Sequence, residues 1–401
     1  MCIDANCRDP NKRDRTGIHT IPDDVLEDIL LYYLSSKHSE LRHSRETLRL
    51  TCRRWRILID CSPCFWSTIH LELEDDHVTS RHIHSIQVSL ERSKQAPLLI
   101  SIRASVKSTK AVSAYMDLLT VKVHRWKELS LHLVDFQEEV SWLLERCPFH
   151  HAESLHRFCL NIERGVPRSI PRLMYPVVRA TALRNIDLSW AMYIPRSLDL
   201  PVGHEPWNSV TSLTISSNSE GGACSILRYT PSLIELKIKI STQSEHGFQP
   251  LYPTTNPIPL PSLQQMEITT LSDNPLHLRL VDAPRLTSLH VTKTKKRELS
   301  NFSPTSEEFH SFLSHYLSTS RHSLRSLTVS GVKLQNATGF LSHPTIRQIL
   351  NVQVVFRNHG LVQFTETQVA GNIGPGLTLR HDGEITVAGW ASSPLNVEIV
   401  E

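Results

Sequence analysis

The residues whose types and spacing could do chemistry are few. Cys61-Ser-Pro-Cys64 has the spacing of a zinc or redox pair, and His150-His151 is a conspicuous doublet among 22 histidines. A structural zinc wants four ligands, and two further cysteines that could complete the set, Cys2 and Cys7, lie in the polar start of the chain. Adjacent residues on one element rarely point at one ion, so His150-His151 reads as a loop or surface feature. There is no phosphate-cradling glycine loop, no His-Glu-x-x-His and no nucleophile elbow, and the 14 glycines do not cluster as a nucleotide site needs. The expectation is a chain with no catalytic residue, no metal and no cofactor, which is not an enzyme.

Binding is the chemistry that remains. Net charge is +3 with the signs well mixed, which disfavours sequence-independent nucleic-acid binding. No apolar run is long enough to cross a bilayer. Met1 to Gly17 is polar and charged, read as disordered and without the apolar stretch of a secretory signal. Eight scattered cysteines in a chain of 401 residues read as reduced thiols, so the expected location is cytoplasmic and/or nuclear, with neither nucleic acid nor membrane as partner.

The elements that must position any binding surface begin at Ile21-Pro22-Asp-Asp-Val25, a helix start with Pro22 in the first turn and two acids at the positive end of the dipole. Leu26, Ile29, Leu30, Tyr33 and Leu34 follow as one apolar stripe. After a mostly polar stretch, Leu48, Cys52, Trp55 and Ile59 repeat the period, so one second helix is expected. Cys61-Ser-Pro-Cys-Phe-Trp66 is a turn, and Ile69, Leu71 and Leu73 alternate as a half-buried strand. Helices this short in about fifty residues are not expected to bury Leu26, Leu30, Trp55 and Trp66 unaided, so a covering surface is expected.

Ile21-Pro22-Asp-Asp-Val-Leu26-Glu-Asp-Ile29-Leu30, Leu48-Arg-Leu50-Thr-Cys52-Arg-Arg-Trp55 and Pro63-Cys-Phe-Trp66 together resemble an F-box over residues 18–70. The chain departs from that pattern at Ile21, at Thr51 and in a longer linker over Ser35–Thr47. The resemblance implies docking onto the Skp adaptor of cullin-RING ligases, through Pro22, Leu26, Ile29, Leu30, Leu50, Cys52, Trp55 and Trp66.

Downstream, a pattern of apolar, two residues, apolar, one residue, apolar recurs. Its copies are Trp126–Leu131, Leu155–Leu160, Leu183–Leu188, Val210–Ile215, Leu233–Ile238, Leu263–Ile268, Leu286–Val291 and Leu324–Val329. Most of the spacings fall in or near the range of leucine-rich repeats, and the array resembles that family irregularly. Only the copy at Val210 has an asparagine, Asn218, where that family usually keeps one. Helical stripes are expected between strands, at Val140–Cys147, Ala223–Leu227 and Phe309–Leu317, with a proline-rich loop over Pro250–Pro261. Leu377–Val387 reads as a hairpin turning at Asp382-Gly383.

The expected fold is α/β: a disordered 1–17, an N-terminal helical F-box-like module over 18–70, an irregular leucine-rich-repeat solenoid over 71–345, and a C-terminal cap with a short β-hairpin over 346–401. The expected function is that of a substrate-recognition adaptor of an SCF-type ubiquitin ligase. It would bind the Skp adaptor, through it a cullin, and an unknown substrate protein on the polar residues interleaved along the strands, such as His132, Asn161, Asp187 and Lys237. The alternative is an interaction scaffold without a ligase role.

Overall fold

The computed structural model describes residues 20–35, 41–73, 80–105, 109–135, 144–164, 173–190, 207–217, 226–240, 258–270, 281–293, 324–332, 351–357, 377–379 and 384–388. The expectations for residues 1–17, for the stripes at 140–143 and 309–317, for Ala223 and for most of the Pro250–Pro261 loop lie outside these residues. The chain divides into two units: residues 1–71 with 79–100, and residues 72–78 with 101–401.

The first unit opens with α1 (Asp23–Ser35), whose first turn carries Asp23 and Asp24 and whose first ladder bond runs from the Leu26 N–H to the Pro22 carbonyl, 2.9 Å. The single second helix expected over Leu48 to Ile59 is instead two, α2 (Leu41–Thr51) and α3 (Arg53–Cys61). The break falls at Cys52, whose backbone is extended. The Thr51 hydroxyl donates to the Thr47 carbonyl at 3.1 Å, a local bond that competes with the ladder at the end of α2. One 3-10 turn (Pro63–Trp66) leads into β1 (Thr68–Leu73), then α4 (Ser80–Arg92) and β2 (Leu98–Ala104). The division between the two units falls within β1 and β2.

Leu26, Leu30, Leu34, Leu48, Ile59, Phe65 and Trp66 form one core, with Trp55, Leu58 and Val88 packed on it. Each aliphatic side chain so buried contributes about 1.5–3 kcal/mol. The expected covering deficit is therefore corrected for Leu26, Leu30 and Trp66: the unit encloses them itself. It can do so because it extends past residue 70 and brings α4 with it, so Val88 packs on the core.

The second unit begins with α5 (Thr109–Thr120) and β3 (Trp126–Asp135). It continues with β4 (Arg157–Arg164), β5 (Asn185–Trp190), β6 (Ser212–Ser217) and β7 (Glu235–Ile240). Then come β8 (Ile258–Pro259), β9 (Gln265–Thr270), β10 (Val281–Asp282), β11 (Ser288–Lys293) and β12 (Ser326–Val332). The last strands are β13 (Asn351–Arg357), β14 (Leu377–Leu379) and β15 (Glu384–Ala388). The main sheet of this unit runs β3-β4-β5-β6-β7-β9-β11-β12-β13-β15-β14, and every neighbouring pair from β3 to β13 is parallel. β8 and β10 make a separate parallel pair. The segment read as a hairpin forms the antiparallel pair β14–β15, and β15 also lies antiparallel to β13.

This corrects the expected fold. Among the described residues the chain is an α/β protein built on a long sheet, parallel from β3 to β13, with few helices, not a clear helical F-box followed by a leucine-rich-repeat solenoid. The apolar motif encodes strands, but strand patterning alone does not dictate what joins them. Where the joining segments are described, they hold helical residues at 144–146, 173–174 and 226–227 and one-turn pieces such as Phe149–His151 and Val177–Arg179. Pro148, Pro176, Pro231, Pro261 and Pro284 stand in these approaches, and a proline interrupts any helix that would run through it into the strand.

A recurring turn closes each described approach. The N–H of Leu155, Leu183, Val210, Leu233, Leu263 and Leu286 donates to the carbonyl three residues earlier, on Ala152, Ala180, Trp207, Thr230, Leu260 and Ala283, at 3.1–3.3 Å. Both ends of every turn are buried. Pro231, Pro261 and Pro284 occupy the second turn position, which their fixed φ suits. The residue after each turn then donates to the preceding ladder, as His156 does to the Lys127 carbonyl at 2.9 Å and Thr211 to that of Arg184 at 2.9 Å.

Candidate functional site

On α1 the buried side chains Leu26, Leu30 and Leu34 repeat every fourth residue, and a second apolar stripe runs beside them in solvent. Val25, Ile29, Tyr32 and Tyr33 are exposed, Ile29 by 48% and Tyr32 by 78%. At 100° per residue, Val25, Ile29, Tyr32 and Tyr33 fall on one side of the helix, and exposed Pro22 precedes them on that side. Elsewhere in this unit Leu50, at the end of α2, is 74% exposed, and Ile57 on α3 is exposed beside Arg53 and Arg56. Large apolar side chains grouped in solvent mark an interaction surface better than singly scattered ones do.

The eight residues expected to contact an adaptor separate into three groups. Pro22, Ile29 and Leu50 are exposed, Cys52 and Trp55 are half-buried, and Leu26, Leu30 and Trp66 lie in the unit's own core. The buried three can only support a surface from beneath. Sequence reasoning missed Val25, Tyr32 and Ile57, although their spacing of three and four from Ile29 and Arg53 was a readable signal.

The frame under this surface is polar and well connected. The Arg54 guanidinium donates to Asp23 on α1 at 2.6 and 2.8 Å and also to the Ile21 carbonyl, and Ser62 donates to Glu27. Asp60 accepts from Arg49 at 2.8 Å and from Arg92 at 2.7 Å, joining α2, α3 and α4. The hydrogen bond to Asp60 raises the Arg49 pKa above its ordinary value, so the guanidinium stays charged. Trp66 donates its indole N–H to the Ile59 carbonyl at 2.7 Å, and Arg45 and Arg92 stand over its ring at 4.1 and 4.4 Å.

In the second unit the sheet presents the interleaved side chains in rows. At one height Leu129, Phe158, Ile186, Leu213, Leu236, Met266, Leu289 and Leu327 pair from strand to strand and are buried. The polar residues between such rows stay half-buried or exposed. His132 Nε2 lies 2.7 Å from Glu163 and 3.2 Å from Asn161, and Arg103 reaches the same Glu163 carboxylate at 3.3 Å. Arg157 donates to Asp187 at 2.6 and 2.9 Å, and Lys237 pairs with Glu267 at 3.2 Å. The Cys159 thiol donates to Asp187 at 3.2 Å, and burial with that carboxylate pushes its pKa up to about 11. A thiol so held is protonated at neutral pH and is a poor nucleophile there.

The two motifs with metal-like spacing behave as surface features. Cys61 and Cys64 are free and exposed, and the His150 and His151 ring centroids lie 3.9 Å apart, tilted by 47°, within one 3-10 turn. Among the described residues no three His, Cys, Asp or Glu side chains converge as metal ligands, and no helix is long and apolar enough to cross a membrane. The chain matches no family model, and no curated protein matches it.

Proposed function

We propose that this chain is a substrate-recognition subunit of an SCF-type ubiquitin ligase, working in the cytoplasm and/or the nucleus. The helical unit binds the Skp adaptor, and through it a cullin, while the polar strand residues of the parallel sheet hold a substrate protein. The reading rests on the F-box-like residues from Ile21 to Trp66. The observation that carries it is the solvent-facing apolar stripe of α1, Val25, Ile29, Tyr32 and Tyr33, beside a core that is already closed without them. Side chains not needed for folding and costly to leave in water are suited to a partner.

The chain itself performs no bond chemistry in this role. Holding a substrate beside the ligase's charged ubiquitin carrier raises the effective concentration of its lysines and so the transfer rate. A polar surface whose charges are largely paired, as in Arg157–Asp187 and Lys237–Glu267, suits a protein partner better than a nucleic-acid backbone.

The test is co-purification of the adaptor and a cullin with the full chain. The double variant Ile29→Glu, Leu50→Glu should lose at least tenfold of the captured adaptor while its melting temperature stays within about 2 °C of the parent. Capture that is undiminished, or absent in the parent chain, overturns the ligase reading, and the second of these results favours an interaction scaffold.

A further inference from the structure

Within the first unit, α1 and α3 leave unlike charges in solvent. On α1, Asp24 and Asp28 are exposed, four residues apart along one edge of the stripe that holds Val25 and Ile29. On α3, Arg53, Arg56 and Ile57 are exposed on one face, and exposed Leu50 stands just ahead of them at the end of α2. Among the described residues Asp24, Asp28, Arg53 and Arg56 have no ion-pair partner, whereas their neighbours Asp23 and Arg54 bind one another at 2.6 Å. That bond ties the first turns of the two helices together, so acid stands on one side of a seam and base on the other. A surface of this kind is complementary to itself after a half-turn.

We propose that two copies of this chain pair across this seam, with α1 of each lying against α3 of the other. Asp24 and Asp28 then meet Arg53 and Arg56 of the other copy, and Val25 and Ile29 meet its Leu50 and Ile57. The contact is made twice about a closed two-fold axis, so no open end is left to recruit further copies. Apolar side chains leave water at the centre, and the charges around them fix which helix faces which. A contact confined to single helix faces gives a weak dimer that dilution separates. The pairing stands without the ligase reading. Its consequence rests on that reading: paired copies cover Ile29 and Leu50, so the adaptor surface is closed until the adaptor displaces the second copy.

Sedimentation equilibrium of the full chain alone, over a hundredfold range of concentration, tests the pairing. The expected result is a reversible monomer–dimer equilibrium with no larger species, weakened by added salt. The variant Asp24→Arg, Asp28→Arg should be monomeric, and so should Arg53→Asp, Arg56→Asp, because each sets like charges against like at both contacts. Mixed in equal amounts, the two variants should pair again, since each then meets the opposite charge twice. Restored pairing also shows that both variants are folded. A parent chain that is monomeric at every concentration, a dimer indifferent to either pair of substitutions, or a mixture that stays monomeric overturns the proposal. Added Skp adaptor should convert the dimer into a one-to-one complex. A dimer that stays intact with the adaptor bound overturns the closing of the adaptor surface, whereas an adaptor that does not bind at all sinks the ligase reading and leaves the pairing standing.

Discussion

At the scale of single residues, neighbouring positions on α1 do opposite work. Leu26 is fully buried and Ile29 is half in solvent, although both belong to the apolar stripe read from the sequence. Leu26→Ala should cost about 2–5 kcal/mol in chemical denaturation, as a truncation in a packed core does, whereas Ile29→Ala should stay within about 0.5 kcal/mol. Equal losses at both positions would show that the α1 stripe is covered in the folded chain. The cysteines divide in the same manner. Burial raises the Cys147 pKa to about 12 and that of Cys159 to about 11, so near pH 8 almost none of either is thiolate. Exposed Cys61 and Cys64 should therefore be alkylated by iodoacetamide well ahead of Cys147 and Cys159, which mass spectrometry of timed digests would read. Raising the pH toward 11 should speed Cys159 before Cys147. Periodicity could not have told Leu26 from Ile29, because a stripe wider than the core it faces looks the same in sequence whether the surplus meets solvent or a partner.

At the scale of elements, the strands were legible and their joints were not. Each of the eight motif copies lands on a strand, β3 to β7, β9, β11 and β12, and its first apolar residue sits two places ahead of the strand in all but β3. That first residue closes the recurring turn, which makes it apolar for a reason other than strand alternation. The sequence reading saw the leucine and missed the turn, although Thr230-Pro-Ser-Leu233, Leu260-Pro-Ser-Leu263 and Ala283-Pro-Arg-Leu286 display its chemistry. It also missed β13, where Ile349-Leu-Asn-Val352-Gln-Val354 repeats the spacing and Val352 and Val354 pair with Leu327 and Val329. The F-box-like reading carried the second helix across Cys52 because propensity gives no sign of a break there. The turns bear directly on stability. Thr230 is fully buried and its hydroxyl donates to the Leu227 carbonyl at 3.2 Å. Thr230→Val keeps the shape and removes that bond, and it should cost about 1 kcal/mol in equilibrium unfolding. No measurable change would mean that the turn is held by its backbone bond alone.

At the scale of the whole molecule, two units carry separate interiors, one closed around Leu26 and Trp66 and one layered along the parallel sheet. Damage to one core should therefore stay local. Hydrogen exchange of the Leu26→Ala variant should show lost protection across residues 20–71 and 80–100, with the amides of β4 to β7 keeping theirs. Uniform loss over both units would show that they unfold as one. The sequence marked this division only near residue 70, since nothing in the composition of Ser80–Arg92 signals that α4 belongs with the helices before it. The parallel sheet has a consequence of its own. Because Asn185 stands level with Ser212 and Ser212 stands level with Glu235, β5, β6 and β7 hold one common register in the sheet. Excising residues 212–234 would bring β7 to the height β6 now holds, so the second unit of the shortened protein should still fold and should melt at a lower temperature than that of the parent. One strand can then be lost from the interior of the sheet while the strands on either side of the gap keep their level with each other.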